Sequence, residues 1–165
     1  IAKRALGFGM NVIYHNRSHL SDADEKACGA KYVSKEELLR TADHVVLVLP
    51  YSAESHHTIG AKEIALMKST ATLINIARGG IVDDAALAQA LRDKKIFAAG
   101  LDVFEGEPSV HPELLKLSNV VLAPHIASAT EKTRRAMVDL AVENLRAALN
   151  GEKPPSLINA EVLKS

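Results

Sequence analysis

Four short stretches of the chain carry residue types that can hold a small anion and move a proton. "NIARGGIVDD" (75–84) places Arg78 after an apolar run and follows it with Gly79 and Gly80. "AAGLDVFEGEP" (98–108) ends in Glu105, Gly106, Glu107 and Pro108, "NVVLAPHIASAT" (119–130) contains His125, and "NVIYHNRS" (11–18) ends in Asn16, Arg17 and Ser18. A guanidinium presents a planar fork that pairs a carboxylate bidentately. A histidine titrates near neutrality and exchanges protons with a reacting oxygen, and a neighbouring carboxylate favours its charged form. Each residue also has a structural alternative: Arg78 as an exposed ion-pairing group, Glu105 and Glu107 as solvated turn carboxylates, His125 as a hydrogen-bonded strand-end histidine. Their joint placement favours chemistry, because ligands of open α/β sheets lie outside the carboxyl ends of the strands. The pair His56–His57 lies in a polar loop, "YSAESHHTIG" (51–60), with no Cys or acid at ligand spacing. It reads as a loop feature, and no metal is expected.

The elements that must position these groups follow from two alternating periods. Strand-like runs occur at 11–16, 44–50, 72–77, 97–104 and 120–126, several of them apolar on both faces, as in a sheet covered on both sides. Helical patterns lie between them: "SKEELLRTA" with Ser34 and Glu37 at capping-box spacing, "AKEIALMK", and "DDAALAQALRDKK" with acids first and bases last. Strand and helix in alternation predict an α/β fold, a doubly wound parallel sheet. From Ser128 to about Asn150 a longer helix is expected, ending before Gly151. Its length, together with the tail 152–165, suggests packing on another domain or subunit.

Composition bounds the function. A chain of 165 residues, 47% apolar but 4% aromatic, can build one core from Ala, Val, Ile and Leu. Twenty basic and twenty acidic side chains cancel, which gives no field to attract nucleic acid or an anionic membrane. The single Cys28 fits a reducing compartment, hence a cytoplasmic address. No apolar stretch has the length of a membrane span. The chain opens on "IAKRALGFGM", which reads as the second half of a helix and suggests a fragment.

Taken together, "NIARGGIVDDAALAQAL", "AAGLDVFEGEP" and "NVVLAPHIASAT" resemble three ordered signatures of the NAD(P)-dependent D-isomer-specific 2-hydroxyacid dehydrogenases, in the branch of glyoxylate/hydroxypyruvate and 2-ketogluconate reductases. The resemblance implies a Rossmann-like nucleotide-binding domain over 1–127 that lacks its first strand and glycine-rich loop, and a long crossover helix and tail over 128–165 that pack on a substrate domain. It implies that Arg78 binds the carboxylate and carbonyl oxygen of a small 2-oxo acid, that His125 is the acid–base group, and that Glu107, directly before Pro108, is its partner. Glu105 is then a neighbour without a catalytic role. A homodimer is implied as well.

The resemblance also implies a dinucleotide cofactor. Leu49 and Pro50 would flank its adenine or ribose, Ile76 and Ala77 its nicotinamide, and Asp102 would bond the carboxamide. His125 and Ala127 would line the same site, although the family commonly has glycine where Ala127 stands. The chain contains no G-x-G-x-x-G; "GFG" at 7–9 is too short and follows a helix. NAD-specific relatives place an acid after the second strand, whereas Asn16, Arg17 and Ser18 stand there. A 2′-phosphate suits Arg17 and Ser18, so NADP(H) is expected in preference to NAD(H). Two other outcomes stay open: a dinucleotide-sensing, dimerising protein of corepressor type without turnover, and an inactive fragment.

Overall fold

Helix α1 (Ala2–Gly7) leads into strand β1 (Val12–Tyr14), helix α2 (Asp22–Cys28) and strand β2 (Ala30–Tyr32). The structure, a computed structural model, describes residues 1–161. Ser21 starts α2 by accepting the Asp24 N–H at 3.1 Å, three acids occupy the first turn, and Gly29 ends it in the left-handed conformation. Strand β2 is absent from the sequence reading because Ala-Lys-Tyr offers no apolar run. It exists through parallel pairing with β1, in register Val12 with Ala30 and Tyr14 with Tyr32.

Helix α3 (Lys35–Thr41) follows, with Ser34 accepting the Glu37 N–H at 3.1 Å, the first arm of the expected capping box. Next come β3 (His44–Leu47), α4 (Ala61–Ile64), β4 (Thr72–Asn75), α5 (Asp84–Arg92), β5 (Ala98–Leu101), a 3-10 turn at Leu114–Lys116 and β6 (Val120–Leu122). Helix α4 is shorter than its pattern predicts. After Ile64 the N–H groups of Leu66 and Met67 bond three residues back, to Glu63 and Ile64, which closes the helix into a turn. Strands β3, β4, β5 and β6 are parallel neighbours in that order, while β1 and β2 form a separate pair. This is the expected α/β, Rossmann-like arrangement of parallel strands and helices.

The core lies between the four-stranded sheet and the helices that connect it. Val45 and Leu47 of β3, Leu73 of β4, and Ala99 and Leu101 of β5 meet Leu39 of α3, Ile64 of α4, and Leu87 and Leu91 of α5. The alternate strand positions behave differently. His44 and Val46 are exposed, and Thr72, Ile74 and Gly100 are half-buried, so the second face is covered less than an apolar-on-both-faces pattern predicts.

Contacts divide the chain into two compact units, 1–124 and 125 onward. The second unit is built on α6 (Glu131–Leu149), which starts at Thr130 rather than Ser128 because Thr130 Oγ1 accepts the Thr133 N–H at 3.2 Å. It ends as expected: Gly151 has φ 72°, its N–H reaches Ala148 O, and the Glu152 N–H reaches Ala147 O, the double bond of a Schellman cap. Ala147 is buried, whereas Met137, Leu140, Val142, Leu145 and Leu149 are exposed. Of the tail 152–165, the last four residues lie outside the described ones. Among the described residues no helix is long and apolar enough to cross a membrane.

Candidate active site

Two loops of the first unit, one after β4 and one after β5, leave the same edge of the sheet because the strands are adjacent and parallel. In the first loop a buried amide organises the turn. Asn75, 1% exposed, accepts the Ala77 N–H at 3.1 Å and donates to Arg78 O at 3.1 Å. Ile76 between them is exposed and Ala77 is buried. Arg78 itself is exposed, and its guanidinium donates to Ala77 O.

Gly79 binds the two loops together. A Cβ there would lie 1.8 Å from Phe104 O and 2.4 Å from Phe104 C, so only glycine lets the backbones meet. The Asp102 N–H also donates to Asn75 O at 3.0 Å, and Asp102 is buried. Arg78 and the Glu105–Glu107 segment are therefore brought together by backbone packing.

The second loop is braced from both sides. Glu107 Oε1 accepts the Phe104 N–H at 2.9 Å, so its carboxylate folds back on its own turn. Asp84 Oδ2 accepts the Glu105 N–H at 3.1 Å. Burial raises the Asp84 carboxyl above the ordinary carboxylate range; the Glu105 charge adds to the rise, and the Glu105 N–H opposes it. The sequence reading assigns no role to Asn75 or Asp84. Their signals were present: an amide ending an apolar run, and a second acid beside a helix cap.

The His56–His57 pair requires a correction. Folding delivers the companion acid that the local sequence lacks: His57 Nε2 lies 2.8 Å from Glu105 Oε1, across 48 residues of chain. His56, His57 and Glu105 form a cluster with metal-ligand proximity. Sequence spacing missed it because the acid arrives from another strand end.

The remaining positions lie on other elements. Asn16, Arg17 and Ser18 follow β1 and are exposed, with Tyr32 Oη donating to Asn16 O. The Glu54 carboxyl is held below its ordinary value by the Ser52 hydroxyl and its own backbone N–H, with a smaller contribution from the charge of Arg17. Leu49 packs half-buried on the core; Pro50 is exposed, and its carbonyl accepts from Ser55 Oγ. His125, three residues past β6, belongs to the second unit, where it is exposed with φ 54°; Ala127 is exposed there too.

For the dinucleotide this chain implies, the exposed Ile76 beside the sheet edge and the exposed Arg17 fit an apolar ring and an anionic ribose phosphate respectively. Neither requires a side chain to move out of the core.

Similarity to known proteins agrees with this arrangement. Residues 1–127 match the family model "D-isomer specific 2-hydroxyacid dehydrogenase, NAD binding domain". A glyoxylate reductase of Thermococcus onnurineus is 52% identical over 163 residues, 99% of this chain and 48% of its own length. A glyoxylate reductase of Aeropyrum pernix is 51% identical over 166 residues, 99% of this chain and 49% of its own. Among solved structures, a glyoxylate reductase from Paecilomyes thermophila superposes with a TM-score of 0.83 at 46% identity, covering 89% of this chain and 44% of that one. An NADPH-dependent glyoxylate/hydroxypyruvate reductase from Sinorhizobium meliloti, in complex with NADP and malonate, gives 0.82 at 38%, covering 88% and 44%. The chain spans about half the length of the curated relatives it matches. With its strand order, its Arg-Gly-Gly loop locked on the loop after β5, and a family match over 1–127, the chain belongs to the D-isomer-specific 2-hydroxyacid dehydrogenases.

Proposed function

We propose that the protein to which this chain belongs reduces small 2-oxo acids, with glyoxylate, hydroxypyruvate and 2-ketogluconate as the substrate class, and prefers NADP(H) over NAD(H). The observation that carries this reading is the Gly79 contact, which holds the loop of Arg78 against the loop after β5, where the motif resemblance implies a carboxylate-binding arginine. The names of the relatives support the acid, and the NADP complex of the Sinorhizobium relative supports the phosphorylated dinucleotide.

In this reading Arg78 holds the substrate carboxylate and steadies negative charge growing on the carbonyl oxygen. His125 gives that oxygen its proton, and Glu107 favours the imidazolium that donates it. When bound, the dinucleotide supplies the hydride. Leu49 and Pro50 flank its adenine or ribose, Ile76 and Ala77 line the nicotinamide side, Asp102 bonds the carboxamide, and the backbone at Ala127 lies close by. Asn16, Arg17 and Ser18 receive the 2′-phosphate, with Glu54 competing for Arg17. Residues 1–127 act as the nucleotide domain, and 128–165 pack on a substrate domain and across a homodimer, which uses the exposed apolar face of α6.

The test is NADPH and NADH oxidation with glyoxylate and hydroxypyruvate, run with this chain and with any longer polypeptide its gene encodes. Faster oxidation of NADPH, reduced about 10²- to 10⁴-fold by His125→Ala, is expected. Dinucleotide binding without turnover of either acid would shift the reading to the sensing protein. Arg17→Ala is expected to raise the KM for NADPH and leave that for NADH nearly unchanged. Equal effects on both would remove the cofactor preference.

A further inference from the structure

The loop 51–60 contains a group of side chains that the proposed reaction does not use. His57 has φ 50°, a left-handed conformation that non-glycine residues rarely adopt, and it turns two successive imidazoles to one side. Their rings stack at 3.8 Å with 21° between planes. Gly80, at φ 77°, backs the pair: a Cβ there would lie 3.0 Å from the Tyr51 ring and 3.4 Å from His56 Nδ1. The loop is pinned from below, with His57 N–H donating to Gly80 O at 2.7 Å and Ile59 N–H to Ile81 O at 3.1 Å. Across the gap stands Glu105, whose backbone is in turn held by Asp84.

We infer that His56, His57 and Glu105 form a binding site for a divalent transition-metal ion of borderline softness, Zn²⁺ being the representative. Three observations argue for it. One nitrogen of each histidine and one Glu105 oxygen lie within 4.8 Å of one another, so side-chain rotations on the order of 1.5 Å bring them to the spacing of about 3.3 Å around a tetrahedral ion. Two imidazoles and a carboxylate are a donor set that such ions take, with water completing the tetrahedron. The His56 imidazole also has an outer partner within hydrogen-bond distance of Nδ1, as metal-ligating histidines do, and a carboxylate stands near Nδ1 of His57. The Tyr51 hydroxyl lies 3.2 Å from His56 Nδ1, and Asp83 Oδ2, from the cap of α5, lies 4.0 Å from His57 Nδ1.

Stacked rings point their lone pairs in parallel, so a shared ion requires them to splay by a rotation about χ2. His56 and Glu105 are exposed and His57 half-buried, which leaves room for that rotation. Binding replaces the 2.8 Å His57–Glu105 hydrogen bond with two bonds to the ion. The ion thereby clamps the loop after β3 to the loop after β5, next to Glu107. The site does not depend on the proposed reduction and is tested without it.

The chain is titrated with Zn²⁺ alone by calorimetry, and with Co²⁺ followed by its visible absorption. One equivalent is expected to bind at about pH 7.5 and to be stripped by a chelator. Zn²⁺ should also raise the thermal midpoint, because the clamp exists only in the folded chain. His56→Ala and Glu105→Gln should each weaken binding by at least about a hundredfold, the upper end of what an outer-shell change costs. His19→Ala, a histidine outside the cluster, should leave binding unchanged. His56 is exposed, so its replacement leaves the fold intact. The inference is overturned if the wild-type chain takes up no Zn²⁺, or if its affinity survives both His56→Ala and Glu105→Gln, which would place the ion elsewhere.

Discussion

Leu73, Ile81, Val82, Leu87 and Leu91, from β4 through α5, are each at most 1% exposed, whereas neither α1 nor α2 contains a buried residue and the positions of β1 and β2 are half-buried or exposed. Both regions alternate parallel strand and helix. They differ in what the helices find to cover: α5 contributes its apolar face to the core of a four-stranded sheet, while α1 and α2 flank a two-stranded pair. The difference separates the two halves of the candidate site. Arg78 and Glu107 stand on loops rooted in the buried region, and Asn16, Arg17 and Ser18 stand on the lightly covered one. The loops proposed to meet the substrate are therefore anchored in the core, and the loop proposed to select the cofactor rests on a lightly covered pair of strands.

The comparison is tested most strongly in the core. Leu87→Ala should cost about 2–5 kcal/mol, because a fully buried side chain leaves a cavity as well as losing its burial. Ile13→Ala, in half-buried β1, should cost about 1 kcal/mol. Urea midpoints of the two variants measure the contrast, and equal costs would show that the two sheets unfold as one unit.

Glycine substitutions give a second contrast. Gly79→Ala forces a methyl into the Phe104 carbonyl and should cost about 2–4 kcal/mol. Gly7→Ala, in α1, meets nothing within 4 Å and should stabilise by about 0.5 kcal/mol. Thermal denaturation reads both signs. A mild Gly79→Ala would mean that the loops after β4 and β5 are not locked together, and would remove the support for Arg78 as a fixed group. Below these lies Asn75→Ala, which strips the buried turn of two hydrogen bonds and should cost about 1–3 kcal/mol. Ser18→Ala on the open loop should stay within about 0.5 kcal/mol.

The sequence made the buried region legible and the other region less so. Runs such as His44–Leu47 and Thr72–Asn75 announce themselves because burial on one face demands β-branched and apolar residues. Ala30–Tyr32 is silent because β2, with little to bury, exists only through its partner β1. The same rule applies to the site. Arg78 and Glu107 could be singled out because motif and strand end coincide. The His57–Glu105 contact joins residues 48 apart, and the Asp84 brace joins residues 21 apart; no local pattern records either pairing. The cap at Thr130 was displaced by two residues from the expected Ser128, since Ser, Ala and Thr in sequence offer two candidate caps and only hydrogen bonding chooses.

The smallest effect concerns charge, and it has opposite signs at the two loops. Burial raises the Asp84 carboxyl in the folded state, so the fold holds that proton more tightly than the unfolded chain does. The stability this contributes is complete below the unfolded pKa of about 3.9 and is lost as pH rises through the folded value. Asp84→Asn keeps an oxygen for the Glu105 N–H and cannot titrate. The advantage of the wild type over Asp84→Asn should therefore grow as pH falls from about 7 to about 4. Glu54, held low by Ser52, its own N–H and Arg17, should show the reverse in a Glu54→Gln comparison, with an advantage present above about pH 4.3 that disappears on acidification. It is fully exposed, so that slope should be the shallower of the two. Urea titrations across this range measure both slopes. A flat or inverted difference for Asp84 would mean that water reaches its carboxylate, and that the brace of the loop after β5 is no better buried than the loop after β3.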